Sequence, residues 1–227
     1  MTELNGSLRR QLVHMTTGGM ISSDDRHTVH IHALKDINVR FKDGDRIGLI
    51  GHNGAGKSSL LRVLAGIYTP SHGTRSVEGT VRSLFELGAG TDYELTGRTN
   101  IERLARLYGY SLHQVKADIH ELEAFSGLGG YLDLPVRTYS SGMQLRLLFS
   151  ISTLYPSDIL LIDEVFGVGD EAFQDKARQR MEAMMTRSRI VIMASHSREL
   201  IHKFCNKTIK LEAGEVVGVT SIGGRYE

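Results

Sequence analysis

An α/β fold, with a mostly parallel sheet and an inserted helical lobe, is what this sequence predicts, on three observations. A short apolar run, Arg46-Ile47-Gly48-Leu49-Ile50, leads at once into a glycine-rich turn and an amphipathic helix. Two more apolar runs, Ile159–Ile162 and Ile190–Ala194, are separated by a helical pattern. From about Gly88 to Tyr155 the periodicity is helical. Strands alternating with helices favour a parallel sheet, and runs this short and apolar suit strands buried on both faces.

Taken in order, Val29, Ile31 and Ala33 alternate with polar residues, as do Ile37, Val39 and Phe41, and Asp43-Gly44 supplies a turn. These predict strands of an antiparallel subdomain. After the glycine-rich turn, Leu60, Leu64 and Ile67 fall on one helical face, which Pro70 and Gly73 end. Val77–Leu84 reads as a strand. In the lobe, Ile101, Leu104 and Tyr108 keep helical spacing, then Val115, Ile119, Leu122 and Phe125; a third helix after Pro135 carries Leu147, Leu148, Ile151 and Leu154. The helix between the last two parallel strands aligns Phe173, Ala177, Met181 and Met184, and Met181, Met184 and Met185 read as core filler. A closing hairpin pairs Thr208–Leu211 with Val216–Val219 about Ala213-Gly214. The expected organisation is a single domain over 1–227, with 1–87 and 158–227 as the core and 88–157 as the lobe.

The chain has 227 residues, 41% hydrophobic and 23% charged, with 27 basic against 26 acidic residues. This near balance leaves no overall positive field to recruit nucleic acid or anionic lipid. The single cysteine, Cys205, excludes an internal disulfide and fits a reducing compartment. No apolar run approaches the roughly 20 residues that cross a bilayer, and the first fifteen residues lack the apolar core of a signal peptide. Leu8–Met15, with Arg9 and Arg10, reads either as a membrane-surface segment or as a plain terminus or sheet edge. Service to a membrane would come from its cytoplasmic face, through a partner.

Gly51-His52-Asn53-Gly54-Ala55-Gly56-Lys57-Ser58 fits G-x-x-x-x-G-K-[ST]. Glycines let successive backbone N–H groups converge on one centre, and the next helix adds its positive end. Lys57 would reach the β- and γ-phosphates of a nucleotide and Ser58 would ligate Mg²⁺, with Ser59 near the α-phosphate. A chance glycine turn is the plain alternative; the flanking strand and helix argue against it.

Ile159–Ile162 ends in Asp163-Glu164, two carboxylates at a strand's C-terminal tip, where α/β sheets collect their ligands. Asp163 would hold Mg²⁺ through water and Glu164 would polarise the attacking water. Alone, such a pair is mostly structural; behind a phosphate cradle it points to catalysis. Ile190–Ala194 similarly runs into Ser195-His196. A lone histidine is usually a surface residue, but on this edge His196 could donate to the γ-phosphate.

These three sites in this order resemble the nucleotide-binding subunits of ABC transporters. Tyr139-Ser140-Ser141-Gly142-Met143 stands where that family carries its signature, although only Ser140 and Gly142 of the usual pattern remain. The resemblance spans about residues 29–219. It implies that Ser140, Gly142 and their helix N-terminus meet the γ-phosphate held by a second copy of the chain, so that ATP glues two protomers. It also implies that Asp170, in Gly167-Val168-Gly169-Asp170, touches the partner and that His196 is the switch histidine. Tyr139–Met143 itself, Glu86–Ile101 and Leu49–Gly73 are similar to the polysaccharide-exporting subfamily, O-antigen exporters above all, with capsule and teichoic-acid exporters close by. That implies a separate membrane-spanning permease as partner, a lipid-linked glycan as cargo, and a place on the cytoplasmic face of the inner membrane.

Departures matter too. The glutamine usual at the lobe entrance is absent, and Glu86 is expected to take a related part. The usual adenine-stacking tyrosine is also missing; either His27, His30 or His32 stacks instead, or the base is held loosely and the three are plain strand-surface residues. Some subfamily members add a C-terminal carbohydrate-binding domain, which a sequence ending at Glu227 is expected to lack. Rival readings are an ABC protein acting on nucleic acid, disfavoured by the near-neutral charge, and an envelope regulator that moves no substrate.

Overall fold

The computed structural model describes residues 21–23, 29–163 and 171–222. Two compact units emerge: 1–77 with 190–227, and 78–189. The second unit is wider on both sides than the lobe expected at 88–157, because it includes the strands that flank the helices.

In the first unit, β1 (Ile21–Ser23) and β2 (Val29–Ile31) pair antiparallel. No strand follows at 37–41. The alternation there is real, with Ile37, Val39 and Phe41 half-buried between exposed Asn38 and Arg40, but it produces no ladder; Asp36 turns the chain at φ +47° just before it. The turn at Asp43-Gly44 forms as expected and delivers β3 (Arg46–Ile50). β3 lies parallel to both β6 (Ile190–Ala194) and β7 (Lys207–Glu212), and β7 turns back antiparallel into β8 (Glu215–Ser221). Ile47, Leu49, Val191, Ile192, Met193, Ile209 and Leu211 are all buried, as strands covered on both faces require.

α1 (Lys57–Ala65) follows β3, and α7 (Arg198–Phe204) follows β6. α1 stops at Gly66, earlier than Pro70, because Gly66 takes a left-handed conformation and returns its N–H to the Arg62 and Val63 carbonyls. Ile67 therefore lies beyond the helix and is exposed. At the opposite end of β3 the buried carboxylate of Asp45 accepts from Lys207 Nζ at 2.5 Å and from Lys42 N at 2.9 Å. Burial alone would raise the Asp45 pKa, but these bonds and the charges of Lys207 and Lys42 outweigh it and hold the carboxyl below its usual value.

In the second unit, β4 (Val81–Ser83) and β5 (Ile159–Asp163) run parallel. β4 is shorter than the expected 77–84, since Gly79 is left-handed at φ +105°. The Asp158 carboxylate ties the pair by accepting from both Thr80 N and Thr80 Oγ1 at 2.8 Å. The helices are α2 (Gly97–Leu107), α3 (Leu112–Ala117), α4 (Ile119–Ser126), α5 (Ser141–Ser152) and α6 (Glu171–Arg187). α3 and α4 replace one expected helix; Asp118 breaks it with non-helical torsions, and its carboxylate accepts from Tyr155 Oη at 2.6 Å. Ile101, Leu104, Val115, Leu122, Leu132, Leu147 and Ile151 form the lobe core, and Met181, Met184 and Met185 are buried as expected.

Asn100 enters that core fully buried. Its Nδ2 donates to the carbonyls of Asp92, Leu95 and Thr96 at 2.8, 3.2 and 3.0 Å, while Oδ1 accepts from Asp92 N at 2.9 Å. One amide thus satisfies the loop that enters α2. Asn100→Ala would leave these groups unpaired inside, at roughly 2–4 kcal/mol, measurable as a lowered urea midpoint.

The Asp45 bonds predict a pH signature. A depressed native pKa contributes stability above the unfolded-state pKa and loses it as pH falls through the native one. The difference in melting temperature between the parent and Asp45→Asn is expected to be widest near neutrality and to close below the ordinary carboxylate range.

Candidate active site

The glycine-rich turn leaves β3 through a conformation that only glycine can hold. Gly51 has φ +154°, and a Cβ there would stand 2.3 Å from the Leu211 carbonyl oxygen. Gly56, at φ +104°, would set a Cβ 2.8 Å from Ala33 O. Between them Ala55 N donates to His52 O at 3.1 Å and Ala55 O accepts from Gly214 N at 3.1 Å, so the β7–β8 hairpin braces the loop. His52, Asn53 and Gly54 form its exposed rim, whereas Ala55, Gly56 and Lys57 are buried. α1 begins with Gly56 as N-cap and has no side-chain cap. Its first-turn N–H groups and its dipole are therefore directed at whatever lies in the loop.

Lys57 is 8% exposed and folds back over the loop, its Nζ donating to Gly51 O at 2.8 Å and His52 O at 3.0 Å. An ammonium has three donors, so the charge is aimed into the cradle while the carbonyls fix its position. Ser58 and Ser59 follow in the first turn of α1, both half-buried.

His196 is brought to the same edge. β3 and β6 are parallel with Leu49 opposite Ala194, so Gly51 and His196 each lie two residues beyond a paired position. Ser195 is buried and its Oγ accepts from Ser197 N at 3.1 Å, fixing the turn that exposes His196.

The second unit presents the other predicted residues. Asp163 closes β5 and is half-buried. Glu164 and Asp170 lie outside the described residues, as do the side chains of His27 and His30; His32 is exposed. Glu86 is exposed after β4 at φ +56°, left-handed for a residue with a full side chain.

Tyr139-Ser140-Ser141-Gly142-Met143 opens α5. Tyr139 is buried and donates its Oη to Tyr131 O at 2.6 Å, anchoring the approach. Ser140 is the N-cap: its Oγ accepts from Met143 N at 3.2 Å, with extended torsions. Ser140 and Ser141 are exposed, and Gly142 has no side chain to cover the helix end. They open onto a cavity of about 590 Å³ that Tyr131, Leu145 and Arg146 also line. A positive helix end over an open cavity suits an anion.

A family model described as ABC transporter matches residues 34–167. The chain is 52% identical, over 92% of its length and 87% of the relative's, to an O-antigen export system ATP-binding protein of Yersinia enterocolitica. The chain belongs to the ABC transporter family. Within that family it is an ATP-binding, ATP-hydrolysing subunit. It is also 39% identical to an O-antigen export system ATP-binding protein of Myxococcus xanthus over 82% of the chain, and spans only 43% of that longer relative. A solved ATP-binding subunit of an ABC transporter shares the fold with a TM-score of 0.70 at 21% identity, covering 89% of this chain and 88% of that one. Among the described residues no helix is long and apolar enough to cross a membrane.

Features of this ABC subunit that periodicity did not reveal are buried polar ones. Asn100 is one; Arg82, stacked 4.3 Å from the Tyr108 ring centroid and 4.6 Å from that of Tyr110, is another. The only hint of the second was an arginine in a short strand and a Tyr-Gly-Tyr turn.

Lys57→Ala should remove the side-chain cation that is aimed into the cradle. Turnover is expected to fall roughly 100-fold or more, with weakened triphosphate binding; phosphate release and binding of a fluorescent ATP analogue would measure both.

Proposed function

We propose that two copies of this chain close around two ATP molecules, each nucleotide lying between the Gly51–Ser58 loop of one copy and Ser140–Gly142 of the other. The observation that carries this is the exposed N-terminus of α5, capped by Ser140 and opening onto a cavity lined by Ser140, Ser141, Gly142 and Arg146, where an anion would be favoured. The cradle spans Gly51, His52, Asn53, Gly54, Ala55, Gly56, Lys57, Ser58 and Ser59. Lys57 neutralises β- and γ-phosphate charge, and the free first turn of α1 binds phosphate oxygens.

Ser58 and Asp163 offer the hydroxyl and carboxylate oxygens that Mg²⁺ prefers, with phosphates completing its shell. When bound, Mg²⁺ would neutralise charge on the transferring phosphoryl group. Glu164 orients and polarises the attacking water, and His196 donates to the γ-phosphate. Asp170 contacts the second copy, and Glu86 relays the state of the site to the permease. Its left-handed backbone supports that role: an exposed strained residue whose turn glycine would make at less cost suggests a side chain in use.

The cargo is a lipid-linked polysaccharide, O-antigen in the first instance, exported through a separate permease, with this subunit peripheral on the cytoplasmic face of the inner membrane. Support comes from the relative of Yersinia enterocolitica and the extent of its identity.

Glu164→Gln is expected to bind ATP, to hydrolyse it at least 100-fold more slowly, and to run as a dimer in ATP during gel filtration. A monomer at every ATP concentration would refute the shared site. Deletion of the gene should strip surface polysaccharide while its lipid-linked precursor accumulates inside; unchanged surface glycan would refute the export role.

A further inference from the structure

Gly48 sits in the middle of β3, buried, and its backbone does not call for glycine, since it is not left-handed. A glycine inside a strand weakens it and marks a place where something approaches closely. Here the approach is made by α7. A Cβ at Gly48 would stand 2.8 Å from both Cδ1 and Cγ2 of Ile201 and 3.4 Å from Cys205 Sγ. Ile201 is 3% exposed and is the buried residue of α7, whereas Arg198, Glu199, His202 and Lys203 are exposed. The helix is therefore seated on the sheet through one side chain, in a pit made by a missing one.

That seat stands between the two halves of the site. The phosphate loop begins at Gly51, three residues past Gly48, and His196 lies in the turn between β6 and α7. Both ends of that turn are tied. Ser195 Oγ accepts from Ser197 N at 3.1 Å, Ser197 Oγ caps α7 by accepting from Leu200 N at 3.3 Å, and Ser197 O accepts from Ile201 N at 3.2 Å. Where α7 rests thus decides where His196 stands. The strand under it cannot yield, because Gly48 is paired with Met193 of β6 on one side and Thr208 of β7 on the other. The seven-residue helix is the part that gives.

We propose that Gly48 and Ile201 are positioning residues for hydrolysis: the depth to which Ile201 sinks onto Gly48 sets the reach of His196 towards a phosphate held by the loop. This rests on the reading of His196 above and is independent of the two-copy arrangement. A Cβ at position 48 would lift α7 by roughly 1 Å before ordinary carbon–carbon contact is restored. Misplacement of about that size can cost 100-fold in rate. β3, the loop and Lys57 stay in place, so the effect falls on turnover rather than on affinity.

Five variants of the full chain test this: Gly48→Ala, Ile201→Ala, their double, His196→Ala, and Gly48→Ala/His196→Ala. Steady-state kcat and KM for ATP, the single-turnover rate with enzyme in excess, binding of a fluorescent ADP analogue and melting temperature would be measured. Gly48→Ala is expected to lower kcat about tenfold, with KM and ADP affinity within about twofold of the parent. Ile201→Ala, which removes both atoms in the way, is expected to bring the double back to within about threefold of parental kcat. It should do so although the double melts below Gly48→Ala, because the lost side chain leaves a void. Ile201→Ala alone leaves the pit unfilled and should lower kcat about threefold. In the His196→Ala background, Gly48→Ala should cost less than about twofold further in single turnover, since both act through one group. Parental kcat in Gly48→Ala would overturn the proposal, as would a double no faster than Gly48→Ala, a matching loss of ADP affinity, or a full tenfold loss recurring without His196. Should Gly48→Ala not fold, parental kcat in Ile201→Ala overturns it equally. If His196→Ala itself turns over like the parent, the reading of His196 falls and this inference with it; if His196→Ala is slow and Gly48→Ala is parental, only this inference falls.

Discussion

The backbone path between Gly51 and Gly56 is the constraint on which the nucleotide site depends. Both ends of the loop run against carbonyl oxygens, Leu211 O at one and Ala33 O at the other, with no room for a Cβ. Those carbonyls belong to the β7–β8 hairpin and to the chain that leads towards β3. The cradle is therefore a product of the sheet rather than of eight residues. Parallel β3 and β6 end on the same edge, and for that reason Gly51 and His196, from distant parts of the chain, each follow a strand end there. Any change that shifts β7 against β3 would close the loop before it touched a phosphate-binding residue.

Two helix N-termini are used in different ways. α1 has glycine as its N-cap and no side chain that competes for its first-turn donors, and a lysine at its first position adds a full charge. α5 is capped by Ser140, whose hydroxyl already accepts from Met143 N. That bond consumes one donor but fixes the direction of the others, and no lysine stands at this end. On the two-copy reading proposed above, the first site would bind strongly and the second would meet an anion already bound. That asymmetry would suit the proposed clamp, in which nucleotide remains on one copy while contact with the second copy is made and released.

Much of this was legible because short apolar runs and glycine spacing are local signals. β3, β5, β6, the β7–β8 hairpin, the loop and the Ser140 cap all follow from residues adjacent in the chain. Differences arose where local signals compete. At 37–41 alternation reports half-burial without a strand partner. At Gly66 a left-handed cap ends α1 before Pro70 can. At Asp118 a carboxylate that accepts from Tyr155, 37 residues away, divides one helical pattern in two. Asn100, Arg82 and the Phe125–Phe149–Phe173 cluster depend on pairings that no periodicity encodes. The tie between β4 and β5 is of the same kind: Asp158 accepts from Thr80 across 78 residues.

The stretch Glu86–Ile101, which carried the resemblance to polysaccharide exporters, has two physical components. Asn100 serves the fold, since its four bonds are satisfied entirely by the loop it closes. Glu86 is exposed, and its turn is closed by Ala89 N donating to Glu86 O at 2.9 Å. A left-handed glutamate costs on the order of 1 kcal/mol that glycine would avoid. Strain of that size at an exposed turn marks a position where the glutamate side chain, rather than the backbone, decides the choice of residue. Resemblance in the second half of the stretch thus reflects how the loop that enters α2 is closed, since the amide that closes it must be both buried and fully bonded.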